Sequence, residues 1–270
     1  MPASQTALRL AFALALLPVL ARTASAAACG NDSSGFERWK SDFAQEARMA
    51  GVGNRGLSAL AEAGYASSTI AADRNQKSFR YTLDKFMRIR GSDTIVAQGR
   101  KIRSRNASFY DALEQRYGVP AGVLIAIHGM ETGFGRFMGD SRVVSAITTL
   151  AYDCRRSAFF IPHAIGALML VDRGSITAAT RGAKHGELGH TQFLPGNAMR
   201  YGVDANGDGR VDFYDQSDAL ASTANYLRQK GWQPGLGYQQ GQPNFAVIKE
   251  WNAATVYQQA IAIMGARIDG

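Results

Sequence analysis

The sequence predicts a mainly α protein. Apolar residues recur at helical spacing, as in Phe36, Trp39, Phe43 and Ala47, while alternating apolar–polar runs are scarce. The segment AGVLIAIHGME, from Ala121 to Glu131, is apolar on nearly every face, as befits a helix buried at the centre of a domain. The chain has 270 residues, 46% hydrophobic and 19% charged, which suits one large domain or two unequal ones. That composition excludes a disordered, collagenous or polytopic membrane protein. A net charge of +8 favours an anionic partner, whether nucleic acid, lipid or cell-wall polymer, without choosing among them.

At the N-terminus, Arg9 precedes the apolar run from Ala11 to Ala21, and small residues lead on to Cys29. A basic start, a short apolar core and an A-x-A exit read as a secretory signal over residues 1–28, cleaved after Ala26 or Ala28. The run is short of the roughly 20 apolar residues a bilayer span needs. A buried first helix is the competing reading, opposed by Pro18 inside the run. Export alters how the two cysteines read. Cys29 and Cys154 would share an oxidising compartment, where one disulfide ties the mature N-terminus to the body. The rival is a lipidated Cys29, since it directly follows the small-residue exit. Two cysteines build neither a disulfide-dense scaffold nor an all-cysteine zinc site.

Residues 29–105 are expected to form a helical N-terminal subdomain of short amphipathic helices, with a second apolar repeat at Leu57, Leu60 and Ala61. Arg100, Lys101, Arg103 and Arg105 form a basic cluster, read as a solvated helix face in preference to an anion site. From residue 106 to 270 the chain reads as one core. A helix from Phe109 to Tyr117 stops at Gly118, and Pro120 opens the buried central helix. Further helices are expected over Ile161 to Val171, Asp218 to Lys230 and Ala253 to about Ala266.

Three clusters carry candidate chemistry. Glu131 ends the apolar helix and is followed by Thr132-Gly133-Phe134-Gly135. Burial and the negative end of the helix dipole both raise a carboxyl pKa, which keeps the proton that a general acid needs. Flanking glycines would let a polymer approach. The competing reading is a cap-region Glu held by Arg136 or Arg142. His185-Gly186-Glu187-Leu188-Gly189-His190 invites a zinc reading, but the histidines are five apart, about 140° round a helix, and cannot chelate from one face. The acidic loop is more specific. Asp204-x-Asn206-x-Asp208-Gly209-Arg210 sets oxygen ligands at alternate positions, with glycine for the turn and the Arg210 carbonyl available. Asp215 at the twelfth position is shorter than the usual Glu, and Asp212 and Asp218 are other candidates to close the shell. A single loop suits a structural calcium ion rather than a sensor pair, and is one short of a dockerin-like module.

The strings YGVPAGVLIAIHGMETGFGRFMGDSRVVSAITTLAYD, GELGHTQFLPGNAMRYGVDANGDGRVDFYDQSDALASTANYLRQKGW and EWNAATVYQQAIAIMG, in that order, resemble the MltB-type lytic murein transglycosylases. The resemblance runs from about Ser108 onward and is more diffuse before it. It implies a lysozyme-like α core acting on the MurNAc–GlcNAc β-1,4 bond of peptidoglycan. In that family one Glu protonates the glycosidic oxygen, then deprotonates the muramoyl C6 hydroxyl, leaving a 1,6-anhydro end. Glu131 matches that position. By the same match Gln192, Tyr226, Asn252 and Tyr257 line the substrate cleft, and calcium is held by Asp204, Asn206, Asp208, Arg210 and Asp218, within a loop spanning 204–218.

Departures from the family pattern are Ala183 for a cleft serine, Trp251 for a tyrosine, and His185, Glu187 and His190 for small or aromatic residues. Glu187 thus stands as a second acidic group near the cleft. The short stretch from Gln233 to Glu250 leaves no room for an inserted β domain. The expectation is a periplasmic enzyme acting as a monomer on peptidoglycan glycan strands and not on nucleic acid, with lipid anchoring at Cys29 as the alternative. The rivals are a muramidase in which Glu187 activates water, and a wall-binding protein without chemistry.

Overall fold

The structure, a computed structural model, describes residues 27–75 and 81–270. Most of the proposed signal segment therefore lies outside the described residues. Thirteen α-helices are found among those described. They run α1 (Phe36–Met49), α2 (Asn54–Glu62), α3 (Ser67–Arg74), α4 (Leu83–Arg90), α5 (Ser92–Arg105), α6 (Ala107–Tyr117) and α7 (Ala121–Thr132). After these come α8 (Val143–Tyr152), α9 (Ser157–Arg173), α10 (Pro195–Tyr201), α11 (Gln216–Gln229), α12 (Phe245–Trp251) and α13 (Thr255–Asp269). The scarcity of alternating runs is matched by one small ribbon, β1 (Ser141–Arg142) antiparallel to β2 (Arg181–Gly182).

The central helix is α7. Val123, Leu124, Ile125 and Ile127 are fully buried, each contributing roughly 1.5–3 kcal/mol by leaving water. It packs against α5 and α13. The approach to α13 is close because Gly122 faces Gly265: a Cβ on Gly122 would lie 2.2 Å from the Gly265 carbonyl oxygen. Gly118, at φ +70°, stops α6 as its sequence position predicts. Pro120 sits one place earlier than expected, as the N-cap of α7.

A second group forms around α8 and α9, against which α1, α2 and α10 pack. Phe36, Trp39, Phe43, Tyr65 and Tyr152 make an aromatic cluster here, with Trp39 and Phe43 stacked at 4.5 Å. The two groups share one continuous apolar core, so the 29–105 segment is built into the body. Helix α9 begins four residues before the predicted start and carries Pro162 inside it. Cys29 and Cys154 form a disulfide, and Gly30 pairs with Asp153 beside it. A cysteine so bonded has no free Sγ for a lipid thioether. Among the described residues, no helix is long and apolar enough to cross a membrane.

Candidate active site

The end of α7 opens into a cavity of about 450 Å³. Gly133 (φ +57°), Phe134 (+66°) and Gly135 (+85°) reverse the chain immediately after Glu131 and Thr132. The glycines therefore serve the turn. A Cβ on Gly135 would lie 2.4 Å from His190 Cε1, so a side chain and not open space for a polymer fills that position.

Glu131 is half-buried in the cavity wall. Its Oε1 accepts two hydrogen bonds, one from Tyr257 Oη at 2.6 Å and one from Trp251 Nε1 at 3.2 Å. Burial raises its pKa, and the two donors pull in the opposite direction. Neither Arg136 nor Arg142 holds it. Arg136 instead donates to the Gly133 carbonyl and to Gln98 Oε1, and its competing structural reading falls away.

The loop 183–194 forms another part of the wall. Gln192 has φ +58°, a left-handed conformation that costs a non-glycine residue of order 1 kcal/mol and clusters at functional sites. Its Nε2 donates to the Gly189 carbonyl at 2.8 Å and the Met138 carbonyl at 3.4 Å. Ala183, Lys184, His185 and Glu187 line the same cavity, and Glu187 accepts from the His185 backbone N–H at 3.2 Å. The second carboxylate singled out in the sequence thus faces the same space as Glu131.

From the C-terminal helices come Tyr226, Trp251 and Asn252, all lining the cavity. Tyr226 does not bond Glu131. Its hydroxyl donates to the Glu250 carbonyl at 2.5 Å, and its ring meets Trp251 edge-on at 5.4 Å. Asn252 Oδ1 accepts from the Ala254 N–H at 3.0 Å. Tyr257 reaches the carboxyl from α13 behind it, and burial beside Glu131 drives its own pKa well up.

Below the site lies a pair the sequence did not suggest. His128 Nε2 and His190 Nδ1 are 2.9 Å apart, and His190 Nε2 lies 3.2 Å from the Tyr214 carbonyl. A carbonyl only accepts, so His190 carries its proton on Nε2, and His128 Nε2–H donates to His190 Nδ1. Both rings are held neutral. Burial takes His128 down to about 3 and lowers His190 as well. Thr132 Oγ1 donates to the His190 carbonyl at 2.6 Å, so the end of α7 and the Gln192 loop are tied twice.

The acidic loop lies apart from the cavity. Asp204 accepts from the Gly207 and Gly209 N–H groups, Asn206 from Asp208 N and Asp208 from Arg210 N. Asp218, fully buried, accepts from Ala205, Asn206 and Asp212 N–H groups. Asp215 is occupied as the N-cap of α11, which leaves Asp218 as the carboxylate under the loop. Among the described residues, no three His, Cys, Asp or Glu side chains converge as a metal group, and no ion pair engages Asp204, Asp208 or Asp218.

Residues 35–242 match the transglycosylase SLT domain family. The chain belongs to that family. The membrane-bound lytic murein transglycosylase B of Escherichia coli (strain K12) is 35% identical over 132 residues, 47% of this chain. The matched part spans 37% of that relative's length. SltB3 from Pseudomonas aeruginosa, solved with NAG-NAM-pentapeptide and with NAG-anhNAM-pentapeptide, superposes at TM-scores of 0.80 and 0.79 with 26% identity, covering 88% of this chain and 80% of that one. The Escherichia coli lytic transglycosylase SLT35 in complex with calcium shares the fold, with TM-score 0.75 and 22% identity over 90% of this chain and 96% of that one. The mainly α, lysozyme-like class read from the sequence is the one observed.

Proposed function

We propose that this protein is a lytic transglycosylase that cleaves the MurNAc–GlcNAc β-1,4 bond of peptidoglycan, with Glu131 as its single acid and base. The observation that carries this reading is a carboxyl at the end of a buried helix, facing a cavity, with burial raising its pKa above the ordinary carboxyl value, the direction a general acid needs. The proton passes to the glycosidic oxygen as the bond from that oxygen to C1 breaks. The resulting carboxylate then takes the C6 hydroxyl proton as O6 bonds to C1. No water is consumed, and the second carboxylate of an ordinary glycosidase is not needed.

Gln192 and Asn252 bring amide groups to the cavity wall, which suits the hydroxyl and N-acetyl groups of a glycan. The sugar complexes of SltB3 support the same substrate class. Because Glu187 lines the cavity too, hydrolysis by a Glu187-activated water is the second reading. We assign the action to the periplasm on the strength of the signal-like sequence over residues 1–28, with a structural calcium ion in the 204–218 loop. Among the described residues, buried Asp218 accepts from backbone N–H groups alone, and a bound cation would complete its charge balance. Asp204, Asn206, Asp208 and the Arg210 carbonyl would hold the ion with it. Glu131→Gln should abolish release of fragments from purified sacculi while glycan binding persists. Turnover within about tenfold of wild type would defeat the assignment of Glu131.

A further inference from the structure

Both donors to Glu131 fall on the same oxygen, and they differ in kind. The Tyr257 hydroxyl is able to donate or to accept, whereas the Trp251 indole N–H only donates. In a protonated carboxyl the carbonyl oxygen is the good acceptor and the hydroxyl oxygen carries the proton. An indole N–H aimed at Oε1 therefore marks Oε1 as the carbonyl oxygen. Among the described residues, no side chain or backbone group hydrogen-bonds Oε2.

The indole is itself held firmly. Its ring meets Phe193 edge-on at 5.1 Å and Tyr226 edge-on at 5.4 Å, both nearly perpendicular. Tyr226 in turn donates to the carbonyl of Glu250, the residue before Trp251. This gives Tyr226 a role other than touching Glu131: it buttresses the residue that does.

We propose that Trp251 is a positioning residue that keeps the acid proton of Glu131 on Oε2, the oxygen with no hydrogen-bond partner among the described residues. With tyrosine alone on Oε1, the hydroxyl is free to turn and accept from a proton on Oε1, which is then held by Tyr257. The donor-only indole removes that arrangement. This inference rests on Glu131 being the acid, but the test reads the carboxyl directly.

The experiment is a carbon-13 NMR titration of the Glu131 side-chain carboxyl in the intact mature protein, without substrate, with the resonance assigned by its loss in Glu131→Gln. Wild type is compared with Trp251→Phe and with benzothienylalanine at position 251, which keeps the bicyclic shape and replaces N–H by sulfur. The other groups acting on the carboxyl, Tyr257 on α13, Arg90 on α4 and Glu187 in the 183–194 loop, are unchanged. Losing one donor to the ionised form should raise the midpoint by roughly half to one pH unit in both variants. On sacculi, kcat should fall about three- to tenfold with KM unchanged, the factor one hydrogen bond commands. An unmoved midpoint in the isosteric variant, or a kcat equal to wild type, would overturn the proposal. If wild type released no fragments while the midpoint still moved as stated, the indole's hold on the carboxyl, on which the placement rests, would stand and the transglycosylase reading would fail.

Discussion

His128 allows a pH prediction that can be worked through to a number. Its ring is 1% exposed, lies three residues before Glu131 on α7, and donates to His190. Burial and the neighbouring His190 depress its pKa to about 3, against roughly 6.5 in an unfolded chain. Above pH 6.5 both states hold the ring neutral, and His128 costs nothing. As pH falls below that, the unfolded chain takes up a proton that the folded chain refuses, and stability drains away until the folded pKa is reached. Between pH 7 and pH 4.5 this one residue should remove roughly 2.5–3 kcal/mol. His128→Gln retains an N–H able to donate to His190 but has nothing to titrate. Urea unfolding of both proteins at pH 7 and pH 4.5 tests this, because His163 and the carboxylates respond alike in each, and the retained N–H keeps His190 in its hydrogen bond. The variant should start somewhat less stable at pH 7 yet lose roughly 2.5–3 kcal/mol less on acidification. Equal losses in the two proteins would show that His128 is not held neutral by burial.

Asp73, with 3% of its side chain exposed, is gripped by Arg155 and Arg156, with His185 Nε2 at 3.9 Å. Arg155→Met or Arg156→Met alone should cost little, since one guanidinium remains. The double variant should cost about 3–5 kcal/mol by leaving a buried charge without its partners, and a double-mutant cycle summing to the single effects would contradict this. Adding calcium to metal-stripped protein should raise Tm, by several degrees once the ion is at about a hundred times its Kd, and Asp204→Asn should remove the rise. A melting curve indifferent to calcium would dismiss the proposed ion.

Local features of the fold were legible because local physics decides them. The apolar period of α1, the stop at Gly118 and the all-apolar face of α7 each follow from neighbouring residues. The start of α9 is hidden in the sequence because Pro162 reads as a boundary, whereas the helix accommodates it in its second turn. In the site, Glu131 was legible as a lone carboxyl closing an apolar helix. Its partners were less so. Trp251 lies 120 residues away in sequence, beyond the reach of any periodicity, and stood out only as a substitution beside Asn252. His128 and His190 are each visible as polar residues, but their pairing depends on the turn at Gly133 to Gly135 folding the 183–194 loop under α7. Gly135 suggests room for a polymer from its sequence alone, since no local signal reveals that His190 fills its space. Tyr226 lines the cavity, but its contact with Trp251 is again a long-range pairing that no local pattern reveals.

An intramolecular transfer at Glu131 leaves its record in the products. Purified sacculi are digested with the mature protein, with Glu131→Gln as control, and the released muropeptides are weighed by mass spectrometry. Fragments one water lighter than hydrolytic ones, carrying 1,6-anhydro ends, are expected from the wild type, and none from the control. Fragments with reducing ends, or equal release by Glu131→Gln, would contradict it.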